Sequence, residues 1–523
     1  MGANQPRRRI QRILAAITSA FVATMLLWAA LTPLFGAPDE AAHFSSAYRL
    51  ATAPAWPDPG DARVPDTVRK AMEIGGKGRA DDRLTWSELS AAPPIAGDSV
   101  DWMTQHPPLY YAIAGSALAV TDLDNARWDQ SILTLRFLSI ALLAPLPTLL
   151  YFTTTTLTRS RRAGLASAAS PLVIPQLPFI GAAVSNDPMV ITGAAFATWM
   201  IARIITGRRD NRTLVLLGLT IAVLALTKGT GLTIVPLALV ALLVFPTPLL
   251  TVGRRLRDVI LVMGVASLGL WWWVWNVIRF GTVQPSGTRS IRPEIPWPAD
   301  DGPDRAVWLN GLWNGVTQSF WGNFGGLSIP MFSAITEILS VGFLLLVAFW
   351  AYRAGTRRVS VVLSVHALTI LVLLAQTVWS VYNRTQFIYG VQGRYFFVAL
   401  ASLSALAAIA SLTSVRQRVG RQRAFRAIGI AAPLLTAYAL AISFAGFYQE
   451  EAGGFSVTPE SLVIWAAVTP MGVVGLALSA LAVLITFGWV TVEFWRSWPT
   501  TVVQAGGPDG NTAANADVTS TNV

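Results

Sequence analysis

The 523-residue chain has no cysteine, three histidines and, among its 39 basic residues, only three lysines. Without cysteine, neither a disulfide-stapled secreted module nor a thiolate zinc site can form. Charged residues make up 13% of the chain, against about 25% in a soluble domain. That scarcity excludes a soluble globular enzyme, and the 53% apolar content excludes a disordered chain. No glycine-rich phosphate loop follows a strand and no HExxH segment occurs, so no nucleotide-binding engine is encoded. The net charge of +11 would suggest nucleic acid in a soluble protein. Apolar runs of membrane length argue against that partner and for lipid instead.

Runs long enough to cross a hydrocarbon core fall near 13–35, 132–157, 163–183, 188–206, 213–227, 230–249, 258–280, 331–352, 359–380, 395–413, 427–447 and 462–490. The pattern predicts an all-α polytopic membrane protein of about 12 transmembrane helices. Its membrane domain covers 1–490, and a disordered cytoplasmic tail covers 491–523. The apolar stretch 107–120 is too short to span and is expected to lie as a helix at the membrane surface. Every second connection is arginine-rich: Arg7/Arg8/Arg9/Arg12, Arg159/Arg161/Arg162, Arg208/Arg209/Arg212, Arg254/Arg255/Arg257, Arg353/Arg357/Arg358, then five arginines between 416 and 426, and Arg496. By the positive-inside rule both termini are cytoplasmic. No small-residue cleavage site follows the first run, which therefore reads as a retained span. On this topology the inner face nets +18 and the outer face −7, so the basic excess records orientation. Two outward segments are long, 36–131 and 281–330, and the chemistry is expected there.

The first of them opens with Pro38-Asp39-Glu40-Ala41-Ala42-His43-Phe44. Asp39 and His43 are four apart and would share a helix face. A carboxylate at the edge of a low-dielectric region gains proton affinity and suits general-base work. The alternative is that Asp39 and Glu40 only favour a helix N-terminus. Further on, His106-Pro107-Pro108-Leu109-Tyr110-Tyr111 reads as a surface helix whose tyrosines dock on the bilayer. The functional reading turns His106 toward the pocket of Asp39. Ser185-Asn186-Asp187-Pro188 is an ordinary turn and cap sequence, yet its depth sets Asp187 level with Asp39. Thr227-Lys228-Gly229 places a lysine, and Gln392-Gly393-Arg394-Tyr395 an arginine, at outer boundaries where topology does not call for them. Snorkelling is the bland alternative for Lys228; together the two cations would suit a phosphate group at the outer leaflet. Glu337, about two turns into a span, could line a cavity or pair with an arginine. Trp271, Trp272, Trp273 and Trp275 read first as an aromatic belt.

In this order the motifs resemble the GT-C superfamily of polytopic glycosyltransferases, and within it a bacterial family of predicted integral membrane proteins of unknown function. The resemblance implies a GT-C-like fold in a bacterial plasma membrane with its active face extracytoplasmic. It implies transfer of a sugar from a polyprenyl-phosphate donor to an acceptor hydroxyl on a cell-envelope glycan, lipid or protein, with inversion. Asp39 would be the base, assisted by Glu40 or His43. Asp187 would be the second acidic position, His106 a support, and Lys228 with Arg394 the phosphate site. Some GT-C branches bind a divalent metal, and Asp39, His43, His106 and Asp187 could do so here. The rival readings are a transporter or flippase of a lipid-linked saccharide and a membrane glycan polymerase. A transporter would want charges near mid-span and interrupted, repeated helices.

Overall fold

A computed structural model describes residues 4–53, 55–74, 79, 82–245, 251–289, 291–353, 355–414, 418–449 and 458–496. Of the disordered tail expected at 491–523, residues 491–495 instead continue the helix Gly472–Trp495, and 497–523 lie outside the described residues. The architecture is all-helical. Among the described residues the sheet is a single antiparallel pair, Asn323–Phe324 against Ile329–Pro330.

Each of the twelve apolar runs is largely helical, but among the described residues only eight helices are long and apolar enough to cross a membrane. These are Arg7–Leu31, Trp128–Thr158, Asp187–Ile205, Ser333–Trp350, Arg357–Thr385, Gly393–Ser414, Gln422–Tyr448 and Gly472–Trp495. A ninth span is a pair, Val252–Gly269 and Trp271–Phe280, bent by 60°. Among the described residues the count is thus eight or nine rather than about 12, and the local causes are visible. The run 163–183 is cut into Arg161–Ala168, Ser170–Val173 and Gln176–Gly181. Pro171 and Pro175 stand at those cuts, and a proline has no N–H to continue a helix. Pro470 likewise separates Pro459–Val468 from Gly472–Trp495. Asn211–Ala225 and Gly229–Val244 are short apolar helices on either side of the Lys228 turn. The 60° bend follows Gly269, where a Cβ would collide with the Ala222 carbonyl.

Three of the connections predicted to face inward carry side-chain caps. Ser160, Asp210 and Thr251 accept from the backbone N–H groups of Ala163, Thr213 and Arg254. These satisfy donors that an isolated helix start leaves open.

The first helix, Asn4–Leu31, packs along the last, Gly472–Trp495. Where it ends, side chains from distant parts of the chain take its free carbonyls. Tyr448 Oη donates to Leu31 O at 2.8 Å and Thr469 Oγ1 to Ala30 O at 3.1 Å. Arg136 donates to Ala29 O and Thr32 O at 2.9 Å each and to Pro33 O at 2.8 Å. Everything beyond Leu31 is therefore held at a fixed exit.

That exit leads into a compact unit built from the first long loop. The helix Glu40–Thr52 lies against the helix Leu109–Ala119. Gly115 allows the close approach, since a Cβ there would sit 2.9 Å from the Ala47 carbonyl oxygen. Leu109–Ala119 has the 11 residues of a non-spanning helix. Its tyrosines do not dock on a bilayer, however. Tyr110 and Tyr111 are wholly buried, packed in the core of this unit with Phe44, Trp86 and Trp128. In the tryptophan run, Trp271 and Trp275 are exposed, while Trp272 and Trp273 turn inward and Trp273 Nε1 donates to Ala225 O. Only half of the expected belt therefore faces out. Glu337 is exposed on its helix and makes no ion pair among the described residues.

Candidate active site

Four of the residues singled out in the sequence meet at helix ends. Asp39 caps the helix Glu40–Thr52 in a left-handed conformation (φ 60°, ψ 7°), which Asp tolerates better than most residues. Its side chain makes no capping bond, so the cap reading does not account for its carboxylate. Asp187 is the first residue of Asp187–Ile205, where the positive end of the helix dipole favours an anion. Lys228 sits in the turn before Gly229–Thr233. Arg394 is the second residue of the 3₁₀ segment Gly393–Ala399, which feeds a span.

The four form one chain of ion pairs. Lys228 Nζ lies 2.5 Å from Asp187 Oδ1 and faces the Tyr395 ring, 5.9 Å from its centroid. Arg394 bridges the two carboxylates, with Nη2 at 2.6 Å from Asp39 Oδ2 and Nη1 at 3.8 Å from Asp187 Oδ2. Two positive and two negative charges leave the set neutral. Three of its members have side chains no more than 10% exposed, whereas Asp39 is 31% exposed. Asp39 is the member that an incoming molecule can reach.

Burial pulls the Asp39 carboxyl toward higher proton affinity. The Arg394 guanidinium, with Lys228 behind it, outweighs burial and holds the group below the ordinary carboxylate range. This reverses the sequence expectation. The low-dielectric edge is present, but the cations facing it dominate.

Glu40 is engaged elsewhere. Arg136 Nε and Nη2 donate to its two oxygens at 2.8 Å each, both side chains are fully buried, and the Val184 N–H donates to Oε1 at 3.1 Å. Both carboxylate oxygens are occupied, so Glu40 anchors the Asp39 segment. Arg136 itself was readable as an arginine inside an apolar run, a position that marks a functional or paired charge.

His43 is buried, with Nδ1 2.9 Å from the Tyr111 hydroxyl and its ring stacked on Tyr111 at 5.8 Å. Burial first, and Lys228 second, push its pKa down to about 3. His106 is pushed down to about 3 by burial first, then by Lys228 and His43. Both imidazoles are neutral near pH 7. The Asn186 side chain, wholly buried beside Asp187, directs Nδ2 at the Tyr111 hydroxyl from 3.5 Å. Sequence reasoning missed Asn186 and misplaced Tyr111, because nothing local marks either as part of a polar pocket.

The set Asp39, His43, His106 and Asp187 does not fit a metal. Among the described residues no three His, Asp or Glu side chains are grouped to hold one. The two carboxylates face Arg394 and Lys228 rather than each other, and His43 Nδ1 is taken by Tyr111.

A family model described as "Predicted membrane protein (DUF2142)" matches residues 22–404, a stretch that includes every residue of the cluster. No curated protein matches the chain. Among solved structures it is similar to ArnT from Cupriavidus metallidurans in the apo state, with 14% identity and a TM-score of 0.44. That similarity covers 90% of this chain and 75% of that one. It is also similar to the same protein bound to undecaprenyl phosphate, with 14% identity, a TM-score of 0.43 and 94% and 77% coverage. The Archaeoglobus fulgidus oligosaccharyltransferase is similar at 12% identity and a TM-score of 0.40, over 92% of this chain and 56% of the other. The present chain spans little more than half the length of that archaeal protein.

Proposed function

The chain belongs to the DUF2142 family of predicted membrane proteins, and from the charge cluster at its helix ends we propose that it is a glycosyltransferase. In this reading it takes a sugar from a polyprenyl-phosphate donor and transfers it, with inversion, to an acceptor hydroxyl on the extracytoplasmic face of a bacterial plasma membrane. The observation that carries the reading is the pairing of one accessible carboxylate, Asp39, with a buried arginine that also reaches a second carboxylate and its lysine. The ordered resemblance of these motifs to GT-C enzymes agrees with it. A transporter would place its ionisable groups near mid-span, whereas these four sit at helix ends.

The acceptor oxygen attacks the anomeric carbon, the carbon–oxygen bond to phosphate breaks, and the acceptor proton passes to Asp39. Polyprenyl phosphate leaves with the negative charge, stabilised by Arg394 and Lys228 where that charge grows most. The donor phosphate must compete with Asp39 for Arg394. Its binding therefore releases the carboxylate that acts as base. Asp39 is a weak base by its proton affinity, so proton transfer is late, when bond formation has made the acceptor hydroxyl acidic. The test is incubation of the purified protein with a panel of polyprenyl-phosphate sugars. Release of polyprenyl phosphate supports the reading, and no turnover of any donor with any acceptor overturns it.

Two further outcomes follow. Gly393 packs so tightly that a methyl group there would collide with the Val316 carbonyl and the Phe320 amide, and its N–H donates to Ser319 Oγ at 2.6 Å. Gly393→Ala is therefore expected to displace Arg394 and lower transfer by about 10²-fold, measured as kcat/KM at matched protein level. The pH profile is expected to be flat between about pH 5 and 8, because His43 and His106 stay neutral and Asp39 stays ionised across that window. A lowered carboxylate pKa means the working form is lost only as pH falls below the ordinary carboxylate range. A kcat/KM profile with a limb near 6.5, the ordinary histidine value, would contradict this.

A further inference from the structure

Three buried polar atoms beside the charge cluster have no hydrogen-bond partner among the described residues: Trp56 Nε1, His106 Nδ1 and Asn186 Oδ1. A buried polar atom left unmet costs free energy, so such atoms are nearly always paired in the working state. They come from three separate segments, and two of those side chains, Trp56 and Asn186, meet Tyr111. Tyr111 lies 5.1 Å from the Trp56 ring and 5.8 Å from the His43 ring, and its hydroxyl meets both His43 Nδ1 and Asn186 Nδ2. His106 begins the Pro-Pro turn into the helix that carries Tyr111.

The chemistry of this wall is specific. It offers a donor at Trp56, an acceptor at Asn186 and a neutral imidazole nitrogen, with the buried Tyr111 ring packed behind Trp56. An acceptor oxygen with no cation among these three atoms does not favour a phosphate at this spot. A ring bearing hydroxyl groups, each able to donate and accept, suits atoms of both kinds and can lie against Trp56, which is only partly buried. Asn186 adjoins Asp187, which holds Lys228, so a ring placed here would lie next to the phosphate site. We propose that Trp56, His106, Asn186 and Tyr111 form the subsite that reads the hydroxyl groups of the donor sugar. The inference rests on the transfer reading above and adds where the sugar is selected.

The test compares binding of polyprenyl phosphate with that of polyprenyl-phosphate glucose, mannose and arabinofuranose to the full-length protein in nanodiscs, without acceptor. A site built to bond hydroxyl groups rejects the analogue that lacks them. At least one sugar-bearing lipid is therefore expected to bind about tenfold or more tightly than the bare lipid phosphate. Asn186→Leu and Trp56→Phe are each expected to lower that ratio several-fold while leaving the affinity for bare polyprenyl phosphate unchanged. Trp56→Phe keeps the ring and removes only the N–H, so it reports even if the buried Asn186 variant fails to fold. Equal binding of sugar-bearing and bare lipids by the wild type would overturn the subsite while leaving the phosphate site standing. An unchanged ratio in both variants would overturn it too. Failure of every lipid to bind would remove the donor reading and the subsite together.

Discussion

Replacing Asp39 by Asn is expected to lower the rate of sugar transfer by about 10³-fold, with protein level and membrane insertion unchanged. Asn is the suitable substitute because the residue adopts φ 60°, a conformation that Asn shares with Asp and most residues do not. The backbone and the Arg394 contact can therefore survive while the proton acceptor is lost. The control is the donor side. Polyprenyl-phosphate sugar should bind the variant at least as well as the wild type, because Arg394 no longer has to be drawn from a charged partner. Transfer measured with a labelled donor decides the matter: a rate near wild type means Asp39 is not the base. Loss of donor binding together with transfer would instead make Asp39 part of the donor site.

The second large effect concerns stability. Arg136 makes five hydrogen bonds, two to Glu40 and three to the carbonyls of Ala29, Thr32 and Pro33. Arg136→Leu strands the fully buried Glu40 carboxylate, and removing one partner of such a pair costs about 3–5 kcal/mol. Arg136→Lys is expected to recover little, since an ammonium cannot reproduce a planar fork with five donors. The double variant Arg136→Leu with Glu40→Gln should recover part of the loss, because it no longer buries an unpaired charge. Thermal melting of the purified protein in one detergent, with all variants side by side, checks the order. An Arg136→Leu protein that melts with the wild type would show that the pair does not anchor the exit of the first helix.

Much of this site was legible before the fold. Lys228 and Arg394 stand out because positive charge belongs on the other face of the membrane, and Asp39 and Asp187 because their depth matches. What the chain could not reveal locally is who faces whom. The pairs Asp39–Arg394, Asp187–Lys228 and Glu40–Arg136 join residues 355, 41 and 96 positions apart. The sign of the Asp39 shift depends on that pairing, as burial and cations pull in opposite directions. Tyr110 and Tyr111 fit an interfacial belt by composition, and only tertiary packing buries them. The same limit applies to the spans. Hydropathy locates apolar runs, but Pro171, Pro175, Pro470 and the Ala222–Gly269 contact decide which of them stay unbroken.

The exit of the first helix also sets an order of assembly. Its last carbonyls accept from Arg136, Tyr448 and Thr469, and its flank is covered by Gly472–Trp495. A ribosome that has just released residue 40 into the membrane has made the Asp39 segment but none of the groups that fasten it. Arg136 emerges about 100 residues later and takes the Ala29, Thr32 and Pro33 carbonyls, but those of Leu31 and Ala30, with part of the helix face, stay unmatched until more than 400 further residues have emerged. Maturation of the site is therefore completed late in biogenesis: a chain arrested before Tyr448 carries every residue of the charge cluster and Arg136, but not the groups that close the end of the first helix.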